Sequence, residues 1–462
     1  MAGIGFELRR MLAQDSLLGK AQAYALASVI GSGPWILSIA AMLLIGFGQL
    51  QLEPTSVGLA SFHTSVTYLM SASLVFTGPM QLAFTRYTAD RLFENQRGLV
   101  LPNLWGVLLL TLVLAFAVGV AALLLLFQGP AFSPLYRISM LVAFVSLCGI
   151  WVIVSFASAI RQYRRVLMVF LVSYSLTVAA SLSLRVLGLQ GLLLGFAIGQ
   201  SCLLFMLLAL VVHEFPVERL LGFDFLRGHR MYPSLMATGA CFSLGLWIDK
   251  WIFWADPSIG IAVIGPLRAA PMYDIPTFLS YLTLIPGMAV FLVHLETGVA
   301  LQCEQFDHTI TRGGTLAQIR AAREELTQAV HSGLQAVFKV QGFTTVMAIA
   351  VAPEVLRTLG LPGSFGAIFK IQLAAAAIEL VLLSVLNVLF YLDQRGIALR
   401  ISVVFVASNA FFSWASLQLP AAFFGYGLVL SVLLSSLLAW HALRRVLQQL
   451  EYQTFMLRPV LY

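Results

Sequence analysis

The chain has 462 residues, 60% hydrophobic and only 10% charged, where a soluble domain carries about 25% charged residues. This composition excludes a soluble domain and reads as an all-α polytopic membrane protein whose surroundings are the lipid bilayer. The net charge of +7 is not a nucleic-acid signal, because the basic residues are spread over short loops and report topology.

Twelve apolar runs of about 20 residues, the length that crosses about 30 Å of hydrocarbon, are predicted as spans. They lie at 22–47, 58–84, 103–127, 137–160, 166–187, 191–213, 233–254, 275–296, 334–353, 366–390, 401–418 and 422–443. The first is too long for the apolar core of a signal peptide and is read as a retained helix. It contains Gly31-Ser32-Gly33-Pro34, where small residues and a missing backbone donor permit a kink or a locally open helix. The plain alternative is that these residues only let helices pack closely. Span two carries a second such point at Gly78-Pro79. A turn at Gly188–Gly191 separates spans five and six, and residues 214–232 form a polar linker.

Span seven holds SLGLWIDKWIFW, Ser243–Trp254, with Asp249 and Lys250 adjacent inside an apolar run. A charge at bilayer depth costs roughly 2.5–3.5 kcal/mol on insertion scales, so it usually has a partner or a task. Trp247, Trp251 and Trp254 are spaced i, i+4, i+7, which puts them on one face of a continuous helix. The alternative is that Lys250 snorkels and the tryptophans form an interfacial belt. Span eight carries Pro286-Gly287, about 207 residues after Gly78-Pro79.

The longest polar stretch, residues 297–338, has apolar residues at helical spacing on both sides of Gly313-Gly314. It is expected to form a helical hairpin extending spans eight and nine. Its outward faces, with Phe306, Arg320, Arg323 and Glu324, are candidates for docking a cytoplasmic partner. Span ten places Glu379 near the midplane, with Lys370 nine residues earlier and about 180° around the helix. A midplane carboxylate is a candidate proton or cation site, or a contact to polar cargo. The alternative is a structural hydrogen bond with Asn409 or Gln418 of span eleven. Residues 451–462 form a tail.

With the N-terminus inside, 21 of the 27 Lys and Arg residues fall in inner segments or toward inner span ends and four in outer segments or at outer span ends, while Lys250 and Lys370 are counted within spans. Both termini are therefore expected in the cytoplasm. The chain divides into lobes of six spans, 1–213 and 233–450, in the same orientation, as in a parallel repeat. Spans of the first half are nearly free of charge but carry Thr64, Ser65, Thr67, Tyr68, Ser71, Ser73, Gln81, Ser173, Tyr174, Ser175 and Gln200. A hydroxyl- and aromatic-lined path suits a neutral sugar cargo, although such residues also glue helices together.

Cys148, Cys202, Cys241 and Cys303 have neither disulfide-framework nor metal-ligand spacing. No P-loop, HExxH or GxSxG is present, so neither enzyme chemistry nor a cofactor or metal is expected.

Two six-span parallel lobes without a nucleotide domain resemble the multidrug/oligosaccharidyl-lipid/polysaccharide (MOP) flippase superfamily. MAGIGFELRRML at Met1–Leu12 and GSGPW at Gly31–Trp35 resemble, within it, the Pel exopolysaccharide transporter (PelG) family. The resemblance implies a bacterial inner-membrane transporter of a nascent polysaccharide rich in N-acetylated amino sugars. It further implies a cytoplasmic glycosyltransferase and a cyclic-di-GMP-sensing membrane protein as partners. Two other readings stand beside it: a cation-coupled antiporter for small drugs, using Asp249 and Glu379, and a scaffold for a synthase that transports nothing itself.

Overall fold

The computed structural model describes residues 24, 27–28, 36–46, 57–129, 132–157, 163–215, 219–227 and 231–456. The expected break at Gly31, Gly33 and Pro34 lies outside them.

Among the described residues, ten helices are long and apolar enough to cross a membrane. They match ten of the twelve predicted spans. Span one includes the described helix Ile36–Gly46 (α1), and span seven is divided into Pro233–Gly245 (α7) and Ile248–Ala255 (α8). A pair of strands not foreseen from the sequence, Ile261–Ile264 (β1) and Leu267–Ala269 (β2), forms an antiparallel hairpin after α8. In the loop before it, Asp256 accepts from the Ser258 backbone N–H at 2.8 Å and from its hydroxyl, which holds the carboxyl below the usual carboxylate range.

The chain forms two compact units. One comprises residues 33–247 and 253–270. Its long helices are Val57–Phe93 (α2), Val100–Leu126 (α3), Pro134–Ala157 (α4), Tyr163–Leu184 (α5) and Leu189–Glu214 (α6). Helix α4 packs on α2, α3 and α6, and α5 packs on α6. Phe62, Leu101, Leu104, Phe156 and Phe196 are fully buried in the shared core.

Helix α2 runs without interruption through Pro79, so Gly78-Pro79 is not a break. Gly78 serves close packing instead. A Cβ on Gly78 would lie 2.7 Å from the carbonyl oxygen of Gly239, and one on Gly239 would lie 2.1 Å from that of Gly78. Only glycine admits this backbone-to-backbone approach of α2 and α7. The same contact joins α7 to α2 within this unit. The predicted linker, residues 214–232, is docked rather than loose over residues 222–225. Buried Asn103 accepts from the backbone N–H of Asp224 at 2.7 Å and of Phe225 at 3.3 Å, and Gly222 N–H donates to Pro102 O at 2.9 Å.

The second unit comprises residues 248–252 and 271–462 with the first 32 residues. Its described helices after α8 are Pro271–Leu282 (α9), Ile285–His294 (α10), Ala300–Thr311 (α11), Leu316–Thr358 (α12), Phe365–Tyr391 (α13), Arg395–Ser416 (α14), Tyr426–Gln448 (α15) and Leu450–Met456 (α16). Helix α13 packs on α9, α12 and α15.

The predicted helical hairpin is present. Helix α10 passes through a π-helical turn, Leu295–Val299, into α11, and α12 continues for 43 residues into span nine. The turn between them needs glycine at Gly313, whose φ is +71°. Thr315 and Gln318 then close a capping box that starts α12. Val299, Phe306, Ile319, Leu326, Val330 and Val337 are buried.

Candidate functional site

The two charged places singled out in the sequence, Asp249–Lys250 and Glu379, come together in the second unit. Span seven breaks at Leu246–Trp247, and α8 restarts at Ile248, so Asp249 lies in the first turn of a helix. The positive end of the helix dipole favours a carboxylate there. Asp249 is fully buried. The Lys250 ammonium lies 3.2 and 3.1 Å from its two oxygens, and the Tyr273 hydroxyl donates to Oδ2 at 2.6 Å. Three sources thus compensate one buried anion: helix end, ammonium and phenol.

Tyr273 and Tyr281 both come from α9 and are spaced i, i+8 on one stripe. The Tyr281 hydroxyl donates to Glu379 Oε2 at 3.1 Å, and the Lys250 ammonium lies 5.5 Å from the centroid of the Tyr281 ring. Glu379 on α13 is therefore joined to Lys250 on α8 through one tyrosine. Glu379 bonds to span eight and not to Asn409 or Gln418 of span eleven. Asn409 instead accepts from Ser413 at 2.9 Å.

The break in span eight falls beside this cluster. Helix α9 stops at Leu282 and α10 begins at Ile285, with Pro286 in its first turn, where proline is tolerated. The break thus precedes Pro286 rather than sitting on it. The buried Gln341 side chain, from α12, donates to the freed Thr283 carbonyl at 3.3 Å. Gly287 lets that side chain approach: a Cβ there would lie 2.3 Å from Gln341 Oε1 and 2.5 Å from Leu380 Cδ2.

The remaining predicted residues stand elsewhere. Lys370 is exposed and is no member of the cluster's hydrogen bonds or ion pairs. The three tryptophans do not share one continuous helix, because Trp247 precedes α8. Trp251 and Trp247 are half-buried. Trp254 is buried and stacks on Tyr68 with centroids 4.6 Å apart, so it is packed rather than part of an interfacial belt. Phe306, expected on a docking face, is only 4% exposed and belongs to the hairpin seam. Arg320 and Arg323 face Glu451 of the chain's own α16 at 4.0 and 3.5 Å, whereas Glu324 is exposed.

Much of the polar set in the first six spans holds helices together. Ser65 bonds the Tyr136 hydroxyl at 2.9 Å, Ser73 accepts from the Trp151 indole at 3.0 Å, and Thr64, Ser71, Ser173 and Gln200 are buried. Tyr273, Tyr281 and Gln341 are the site residues that sequence reasoning missed. Among the described residues no three His, Cys, Asp or Glu side chains are grouped to hold a metal ion.

The fold is that of the MATE transporters, twelve spans in two lobes. The chain is similar over 96% of its length to a Vibrio cholerae MATE transporter, VcmN, covering 98% of that chain (TM-score 0.66, 12% identity). It is similar over 93% of its length to an outward-facing multidrug resistance MATE transporter of the MOP superfamily, covering 96% of that chain (TM-score 0.64, 11% identity). A MOP superfamily transporter from Pyrococcus furiosus matches over 93% of this chain and 96% of its own (TM-score 0.59, 12% identity). No curated protein sequence matches significantly.

Within that class of membrane transporter the chain belongs to the PelG family, described as "Putative exopolysaccharide Exporter (EPS-E)", whose model matches residues 1–455. It is a multi-pass membrane protein of an exopolysaccharide-exporter family and not an enzyme.

Proposed function

We propose that this chain carries a nascent amino-sugar polysaccharide outward across the bacterial inner membrane as a partner cytoplasmic glycosyltransferase makes it. The observation that carries the reading is the family match over residues 1–455. The excess of basic residues in alternate loops supports cytoplasmic termini, and with them a cytoplasmic hairpin at α11 and α12. The exposed acidic residues Glu324 and Glu325 of that hairpin suit docking of the glycosyltransferase, and a cyclic-di-GMP-sensing membrane protein completes the assembly. Phe306 is withdrawn from the docking face, and Arg320 and Arg323 reach a partner only beside Glu451.

The test follows polymer in cells that keep the glycosyltransferase but lack this chain, using an N-acetylhexosamine-specific lectin on intact and permeabilised cells. Polymer trapped inside, and restored to the surface by the wild-type chain, supports export. Polymer reaching the surface without the chain overturns it.

A second reading, a cation-coupled antiporter of small molecules, is favoured by the Asp249–Lys250–Glu379 cluster. It predicts dye efflux that depends on sodium or pH in cells making no polymer.

A further inference from the structure

Spans eleven (α14) and twelve (α15) pack on each other in the second unit, and their contacts set an antiparallel register. Ser408 and Ser431 share a hydrogen bond at 2.9 Å, and a Cβ on Gly427 would lie 2.6 Å from the Cα of Ser413. Each helix also carries an exposed stripe. On α14 it runs from Trp414 through Phe411 and Val403 to Arg400, and on α15 from Leu430 through Leu434 and Leu438 to Arg445 and Arg444. The spacings keep each set on one helical face. Apolar side chains exposed along a membrane span face acyl chains. Both faces end in guanidinium groups.

The register brings these groups to one level. About 12 to 13 residues beyond the Ser408–Ser431 bond, roughly 19 Å at about 1.5 Å per residue, Arg444 stands opposite Gly396. Arg400 starts one turn deeper, but its Nε donates to Gly396 O at 3.3 Å, so its side chain runs along α14 to that same level. A long cationic side chain leaves hydrocarbon for the head groups in this way. Among the described residues Arg400, Arg444 and Arg445 make no ion pair. The carboxylates closest in sequence are engaged elsewhere: Asp393 with Arg395 at 2.7 Å, and Glu451 with Arg323 at 3.5 Å. Beyond Arg445, α16 exposes Tyr452 and Phe455, aromatic side chains of the kind that seat an interfacial helix.

We infer that Arg400, Arg444 and Arg445 form a binding site for the head group of an anionic phospholipid, whose acyl chains lie along the exposed stripes of α14 and α15. Guanidinium groups pair bidentately with phosphate oxygens. Three of them at one level suit a head group with two phosphates, as in cardiolipin. A soluble phosphate would meet only the charges, whereas a lipid also covers the apolar side chains that lead up to them, and this makes the lipid the occupant. The site lies wholly within the second unit, and lipid fills it whether or not the chain exports polymer.

The test is fluorescence anisotropy of an acyl-labelled cardiolipin titrated with the purified full-length chain in neutral detergent, with unlabelled lipids as competitors. Cardiolipin should compete at least about tenfold better than phosphatidylcholine. The triple variant Arg400→Gln/Arg444→Gln/Arg445→Gln should lose at least about tenfold in cardiolipin affinity. Lys339→Gln/Arg357→Gln/Lys370→Gln removes the same charge from exposed positions on α12 and α13 and should bind as the wild type does. All six side chains are exposed, so neither variant disturbs the core. Equal loss in both variants would mean that net charge alone attracts the lipid, and unchanged binding in the first would place the lipid elsewhere; either overturns the inference. So does displacement of the labelled lipid by millimolar inorganic phosphate, which would make this a site for a soluble anion. If phosphatidylcholine competes as well as cardiolipin for the wild type, the inference fails whatever the variants do.

Discussion

The Tyr281 hydroxyl donates to Glu379 Oε2 at 3.1 Å, and this one bond ties α9, which ends at a break in span eight, to the middle of α13. Tyr281→Phe keeps the ring beneath Lys250 and deletes only that donor. We expect a loss of about 1–3 kcal/mol, the cost of leaving a buried acceptor unsatisfied, seen as a lower unfolding midpoint in detergent. An unchanged midpoint would show that Glu379 bonds elsewhere.

At Gly239 the α2–α7 contact is backbone against backbone. Gly239→Ala puts a Cβ 2.1 Å from Gly78 O, and at least 1–3 kcal/mol, roughly the cost of overpacking a core, should be lost in thermal stability. Gly342→Ala on α12 is the control. Nothing lies within 4 Å of its added methyl, so stability should hold or rise by up to about 1 kcal/mol.

Asn103 is the peg of the linker. Asn103→Ala removes the acceptor for the Asp224 and Phe225 N–H groups, and tryptic cleavage at exposed Arg227 should accelerate in the intact membrane protein. Equal cleavage rates would mean that Phe225, packed against Phe84 and Tyr87, holds the segment unaided.

Glu451 tethers α16 to α12 through Arg320 and Arg323. Glu451→Gln should speed amide exchange over Leu450–Met456 while changing global stability by about 1 kcal/mol or less, as for other partly exposed ion pairs. A large stability loss would instead make this contact part of the unit's core.

The spans were legible because length and apolarity are local properties. The hairpin was legible because Gly313-Gly314 divides two runs of helical period. Breaks were less so. Pro286 marks one, but the interruption falls at Thr283–Leu284, since proline suits the first turn of the helix it opens. Gly78-Pro79 carries the same signature and breaks nothing, because there the glycine serves the approach of α7. The Leu246–Trp247 break has no proline to announce it.

Asp249, Lys250 and Glu379 stood out as charges in apolar runs. That they share a cluster depends on Tyr273 and Tyr281, and tyrosines at helical spacing in an apolar span look like ordinary packing. Phe306 was misplaced for a related reason. An apolar residue on the periodic seam is core, whatever faces the partner.

The central claim is that this chain moves polymer across the membrane. The most direct measurement uses inverted inner-membrane vesicles containing the chain and its glycosyltransferase, supplied externally with radiolabelled nucleotide sugar. Labelled polymer should accumulate in the lumen, protected from an added glycoside hydrolase until detergent is supplied. Vesicles without this chain should make polymer that the hydrolase degrades at once. Equal protection with and without the chain would contradict the account.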